Sequence, residues 1–130
     1  MKKFLSVILC AVFLLTLCAC GGKPQNMSDA MYQIGLNALS VADQYIAGKI
    51  TGDEAYDRLG EYKTQATAQT DQEERDLGVT SLYQSEYDGD ASVGIDVFLL
   101  YSVVGRAKQG DGTMSDVMER RDALAGDLGK

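Results

Sequence analysis

Histidine and tryptophan are both absent from this 130-residue chain, and cysteine occurs only at positions 10, 18 and 20. Without an imidazole, the Cys-His and Ser-His-Asp nucleophilic systems are excluded. No serine has a lysine three residues later, so a Ser-Lys dyad of the SxxK type is missing too. A zinc site needs about four nitrogen or sulfur ligands, and a lone Cys18-Ala19-Cys20 cannot supply them. No GK[ST] sequence is present to build a phosphate-cradling loop. Catalytic residues, metal and cofactor are therefore all expected to be none.

Positive charge is scarce. The chain has 12 basic and 19 acidic residues, and two of the basic ones are Lys2 and Lys3 at the extreme N-terminus. Beyond them, 10 basic residues face 19 acidic ones. Such a surface is repelled by phosphate backbones and by anionic lipid headgroups, which argues against nucleic-acid partners and against attachment to a bilayer by charge.

What the chain does have is an unusual start. Met1-Lys2-Lys3 is a short cationic stretch, followed by 14 residues, Phe4 to Leu17, that are apolar except for Ser6 and Thr16. A membrane-crossing helix needs about 20 apolar residues, so this run is short for a span and suited to the hydrophobic region of a signal peptide. It ends in Leu17-Cys18-Ala19-Cys20-Gly21-Gly22. Leu at −3, a small residue at −1 and Cys at +1 resemble the lipobox of bacterial lipoproteins; Cys18 at −2 departs from the usual Ser, Ala, Thr or Val but is small.

The resemblance covers the first twenty residues only. It implies that Cys20 receives a diacylglyceryl group on its sulfur, and that signal peptidase II then cuts before it. The other reading is an uncleaved N-terminal anchor, and both leave the remainder outside the cytoplasmic membrane. One acyl chain holds a protein only marginally, whereas two chains, at about 0.8 kcal/mol per buried CH₂, hold it firmly. No cysteine follows Cys20. The exported part therefore has no disulfide and must rely on an ordinary apolar core.

The expected organisation is a signal peptide over 1–19, a lipidated Cys20 with a short tether over 20–27, and one helical domain over 28–130. From Ser28, Met31, Ile34, Ala38, Val41, Ala42 and Tyr45 recur at steps of three and four, which predicts a helix ending at Gly48. Thr51 with Glu54 forms a capping-box pattern with Ile50 as a hydrophobic staple, and Ala55, Leu59, Tyr62 and Ala66 predict a second helix. The segment from Thr64 to Asp90 is polar and carries Gly78; it is read as a helical linker. Val93 to Val104 is the densest apolar stretch. It runs too long for a strand, which predicts a helix buried on most sides, and Asp96 and its length rule out a span. After Gly110, Met114, Val117, Met118, Leu124 and Leu128 predict a last helix.

An internal echo supports this layout. Gly48-Lys49-Ile50-Thr51-Gly52-Asp53-Glu54 aligns with Gly110-Asp111-Gly112-Thr113-Met114-Ser115-Asp116 at an offset of 62 residues. The fold class expected is all-α: about four helices in two α-hairpins packed as a small bundle, preceded by the signal-peptide helix.

Three residue groups invite chemistry. Asp88, Asp90, Ser92 and Asp96 have the odd spacing of a calcium loop, but Val93 stands where the sharp turn needs glycine and Leu99 where a bidentate glutamate is needed, so they are read as helix caps and a solvated loop. Asp96 is the one acid whose burial would raise its pKa; the simpler reading puts it on an exposed helix edge. Of seven tyrosines, most are read as core edge, and Tyr83 and Tyr87, in the acidic segment, as contact surface.

The function expected is a non-catalytic interaction or assembly module at the cell envelope, lipid-anchored on the extracytoplasmic face. Its partners are the bilayer, through diacylglyceryl-Cys20, and an envelope protein or wall component. The alternative is a small-ligand-binding lipoprotein accessory to a transporter.

Overall fold

A computed structural model of the chain describes residues 22–130. Leu17, Cys18, Ala19 and Cys20, together with the signal-peptide helix, lie outside the described residues. Within them the chain forms four helices: α1 (Asp29–Ile46), α2 (Gly52–Leu77), α3 (Asp88–Gln109) and α4 (Met114–Asp127), with one 3₁₀ turn at Leu82–Gln84 between α2 and α3. Among the described residues there is no strand, and no helix is long and apolar enough to cross a membrane. The fold is an all-α bundle of two α-hairpins.

Local chemistry sets the helix ends. Ser28 caps α1 by accepting a hydrogen bond from the Met31 amide. The capping boxes on α2 and α4 both form: Thr51 Oγ1 accepts from the Glu54 amide at 3.2 Å, Thr113 Oγ1 accepts from the Asp116 amide at 3.2 Å, and each acid reaches back to the cap amide at 2.9 Å. Gly48 and Gly110 take left-handed backbone at φ +67° and +82°. There the Lys49 amide donates to the Gln44 carbonyl and the Asp111 amide to the Arg106 carbonyl, a six-residue closure that needs glycine at the turn. The 62-residue echo therefore marks two equivalent hairpin turns.

The core is made by Met31, Ala38 and Ala42 of α1, Leu59 of α2, Val93, Val97, Leu100 and Val104 of α3, and Val117, Leu124 and Leu128 at the C-terminus. Helices α1 and α3 touch across the centre, whereas α2 and α4 make no contact with each other. Helices α1 and α3 each pack against all the others, and α3 carries the higher apolar density.

Two expectations need correction. The helical linker expected over residues 64–90 is not a separate segment in its first half: that part is helical but continues α2 to Leu77. Gln69 donates to Glu73 at 2.6 Å and Gln72 to Asp76 at 2.8 Å, so i,i+4 side-chain pairs carry a polar helix until Gly78 stops it. The 20–27 tether is folded onto the domain by its end: Met27 is buried, and the Asn26 carbonyl accepts from the Gly89 amide at 3.1 Å. Helix α3 is buried on most sides, as expected, with one outward strip. Val93, Val97, Leu100 and Val104 form its core stripe, and Ile95 and Phe98 point outward. Met114 and Met118 of α4 are exposed as well.

Candidate binding groove

The outward stripe of α3 does not lie on open surface. Ala91, Gly94, Ile95 and Phe98 form one wall of a groove of about 300 Å³. The facing wall is α2, through Thr67, Thr70, Asp71 and Glu74, and the segment after α2 closes one end with Ser81 and Tyr83. Tyr83, Phe98 and Ile95 are 55%, 51% and 47% exposed, so three large apolar side chains share a partly solvated cleft. Isolated exposed apolar residues are ordinary, but a contiguous set rimmed by polar groups marks a binding surface.

The polar rim is held in place. Thr70 Oγ1 donates to the Ala66 carbonyl at 3.0 Å. Glu74 Oε1 accepts from the Leu82 amide at 3.3 Å, which pins the 3₁₀ turn over the groove while Leu82 itself is fully buried beneath it. Gly94 leaves room: a Cβ there would meet only Thr70 Oγ1, at 3.5 Å. A larger residue at position 94 would project into the cleft.

Of the two tyrosines expected to form contact surface, the groove includes Tyr83 and not Tyr87. Tyr87 is the half-buried residue at the start of α3, its amide donating to Ser85 Oγ at 3.1 Å.

Next to the groove sits a buried acid that sequence reasoning read as a plain helix cap. Asp90 has no exposed surface. Its Oδ1 accepts from the Ser28 amide at 2.8 Å and its Oδ2 from the Ser28 hydroxyl at 2.5 Å. Burial and a hydrogen bond to Glu73 push the Asp90 carboxyl up to about 7, against the opposing pull of the Ser28 donors. Among the described residues no donor group reaches the buried Glu73 Oε2, on the carboxyl that Asp90 hydrogen-bonds. Ser28 and Asp90 are themselves 62 residues apart, the period of the hairpin echo, and the clasp joins the starts of the two hairpins.

Asp96 is half-buried rather than on an exposed edge. Burial, then the charge of Asp127 across the α3–α4 contact, raise its pKa to about 6, with Arg120 opposing. Neither Asp96 nor Asp127 lines the groove. Among the described residues, no group of three or more Asp, Glu, Cys or His is placed to hold a metal ion. Asp88 accepts from Asn26 Nδ2 at 2.6 Å and Asp90 from Ser28, so two of the candidate calcium ligands are engaged within the fold.

On the far half of the α2–α3 contact, Tyr56 and Tyr101 stack with ring centroids 4.4 Å apart and their hydroxyls hydrogen-bonded. Lys108 lies 4.6 Å above Tyr56 and Lys63 4.7 Å from Tyr101, so both outer ring faces are covered by cations. This is a stitch between helices, with Tyr56 seated against Gly105.

No family model matches this chain, nor does any curated protein or solved structure.

The sequence signal for the groove was present. Ile95 and Phe98 are three apart and off the stripe of Val93, Val97, Leu100 and Val104, and that offset predicts a second apolar face on α3.

Proposed function

We propose that this protein is a membrane-anchored lipoprotein of the cell envelope that acts without catalysis, as an interaction module, through the α2–α3 groove. The observation that carries the reading is the convergence of exposed Ile95, Phe98 and Tyr83 on one cleft. The anchoring half rests on the lipobox resemblance at Leu17, Cys18, Ala19 and Cys20. Confinement near a membrane raises the local concentration of an envelope partner, so that a modest groove contact suffices.

Two measurements in the parent bacterium test it. Detergent phase partition of wild type beside Cys20→Ser is expected to move the variant from the detergent to the aqueous phase; equal partition removes the anchor. A photo-crosslinking residue at position 98 is expected to give a discrete adduct that the same residue at Gln33, on the exposed side of α1, does not. Identical patterns from both sites remove the groove.

The volume of the groove, at the low end of the range for small-molecule sites, favours a second reading: a small apolar ligand held there for delivery to a transporter. Native mass spectrometry of the purified protein is expected to show a retained mass in that case, lost in Phe98→Ser.

A further inference from the structure

The groove lies beside the most one-sided run of charged residues in the sequence. Residues 71–90 contain Asp71, Glu73, Glu74, Asp76, Glu86, Asp88 and Asp90 with Arg75 as the only cation. Arg75 donates to Gln72, and Asp71 and Glu74 stand on the rim above the apolar floor. An occupant must therefore bring an apolar group for Ile95, Phe98 and Tyr83 and positive charge for the rim.

That charge decides between occupants. A second copy of this chain would set acid against acid, and a phosphate-bearing lipid or nucleic acid would be repelled. The shape decides further. Both walls are α-helical, so every backbone group along them is already bonded and no strand can be added. The α2 wall from Thr67 to Glu74 is about two helical turns, roughly 10 Å long, room for two side chains one turn, about 6 Å, apart on a docked helix together with their own width.

Resting on the interaction-module reading, we propose that the α2–α3 groove docks a cationic amphipathic helix of an envelope protein, apolar side chains at i and i+4 in the cleft and Lys or Arg against Asp71 and Glu74. The apolar contact supplies the affinity, and the acidic rim selects the partner and speeds its encounter.

The test uses the acylated protein carried in nanodiscs of phosphatidylcholine, with empty discs as blank. The probe is a fluorescein-labelled helical peptide of about 15 residues, with leucines at i and i+4 flanked by lysines, beside a counterpart carrying glutamate at every lysine. Fluorescence anisotropy is expected to show the lysine peptide binding at least about tenfold tighter, and weakening as salt rises from about 50 to about 300 mM. Phe98→Ser and Gly94→Leu are each expected to weaken it about tenfold, the first by removing an anchor and the second by filling the cleft. Asp71→Asn, on an exposed residue, is expected to weaken it less and to flatten the salt dependence.

Equal binding of the two peptides overturns the proposal, as does unchanged affinity in both Phe98→Ser and Gly94→Leu. A discrete crosslink at position 98 with no preference for lysine removes the partner chemistry and leaves the interaction module standing. Peptide binding without any crosslink in the bacterium removes the module and leaves the groove chemistry standing.

Discussion

Asp90 shows how a single buried carboxyl sets a pH dependence. Its folded-state pKa of about 7 lies above the ordinary 3.8, so between those values the folded protein holds a proton that the unfolded chain has released. Stability must then fall as pH rises from about 4 to about 7, and the loss is complete above 7. Asp96, raised to about 6, acts in the same direction. The capping acids Glu54 and Asp116 oppose this at lower pH: Thr51 and Thr113 donors hold both below their usual values, so their contribution is lost only as the solution becomes more acidic still. The greatest stability is expected at about pH 4 to 4.5, where the two raised acids still hold their protons and the capping acids are still ionised. Urea denaturation should show a midpoint that falls from pH 5.5 to pH 8. Asp90→Asn, which keeps an acceptor for Ser28 and gives Glu73 a permanent donor, should flatten that slope and gain about 1–2 kcal/mol at pH 8. A variant with the wild-type slope would shift the effect to Asp96.

At the scale of elements, α3 serves two faces and has a glycine on the second. Gly94 is helical, and a Cβ there has ordinary contact distance to Thr70 Oγ1. Gly94→Ala should therefore stabilise the protein by about 0.5–1 kcal/mol, measured by thermal unfolding, because alanine loses less backbone entropy on entering a helix. Any destabilisation would mean that the α2–α3 spacing is tighter than described. Leu82, wholly buried under the Glu74-bonded 3₁₀ turn, should lose about 2–5 kcal/mol on truncation to alanine. Because the same residue holds Tyr83 at the groove's end, Leu82→Ala should also speed proteolysis between residues 78 and 87. Uniform protection there would separate the turn from the core.

For the whole molecule, the order of the helices matters less than the position of α3 among them. It touches α1, α2 and α4, and α2 and α4 are joined only through their neighbours. A defect at its centre is felt everywhere. Leu100→Ala should lower stability by about 2–5 kcal/mol in a single transition, seen identically by far-ultraviolet circular dichroism and tyrosine fluorescence. Two separated transitions would instead show the hairpins unfolding one at a time.

Helix starts, turns and the main core stripe were legible in the sequence because each is set within a few residues: Ser28, the Thr51–Glu54 and Thr113–Asp116 boxes, Gly48 and Gly110, and the spacing of Val93, Val97, Leu100 and Val104. Such signals act over one or two turns of helix and need no distant partner. The lipobox resemblance is of the same kind. Residues far apart decided the rest. Whether Ile95 and Phe98 are core or cleft depends on how closely α2 approaches α3. Asp90 becomes a proton-holding clasp rather than an exposed cap only when Ser28 and Glu73, from two other parts of the chain, close over it. The length of α2 also escaped local reading, since a polar segment gains helical order from side-chain pairs and from packing of a few residues such as Ala66. Local pattern chose the helices; their burial, and hence the groove and the titration of its neighbouring acid, came from contacts that exist only after the bundle closes.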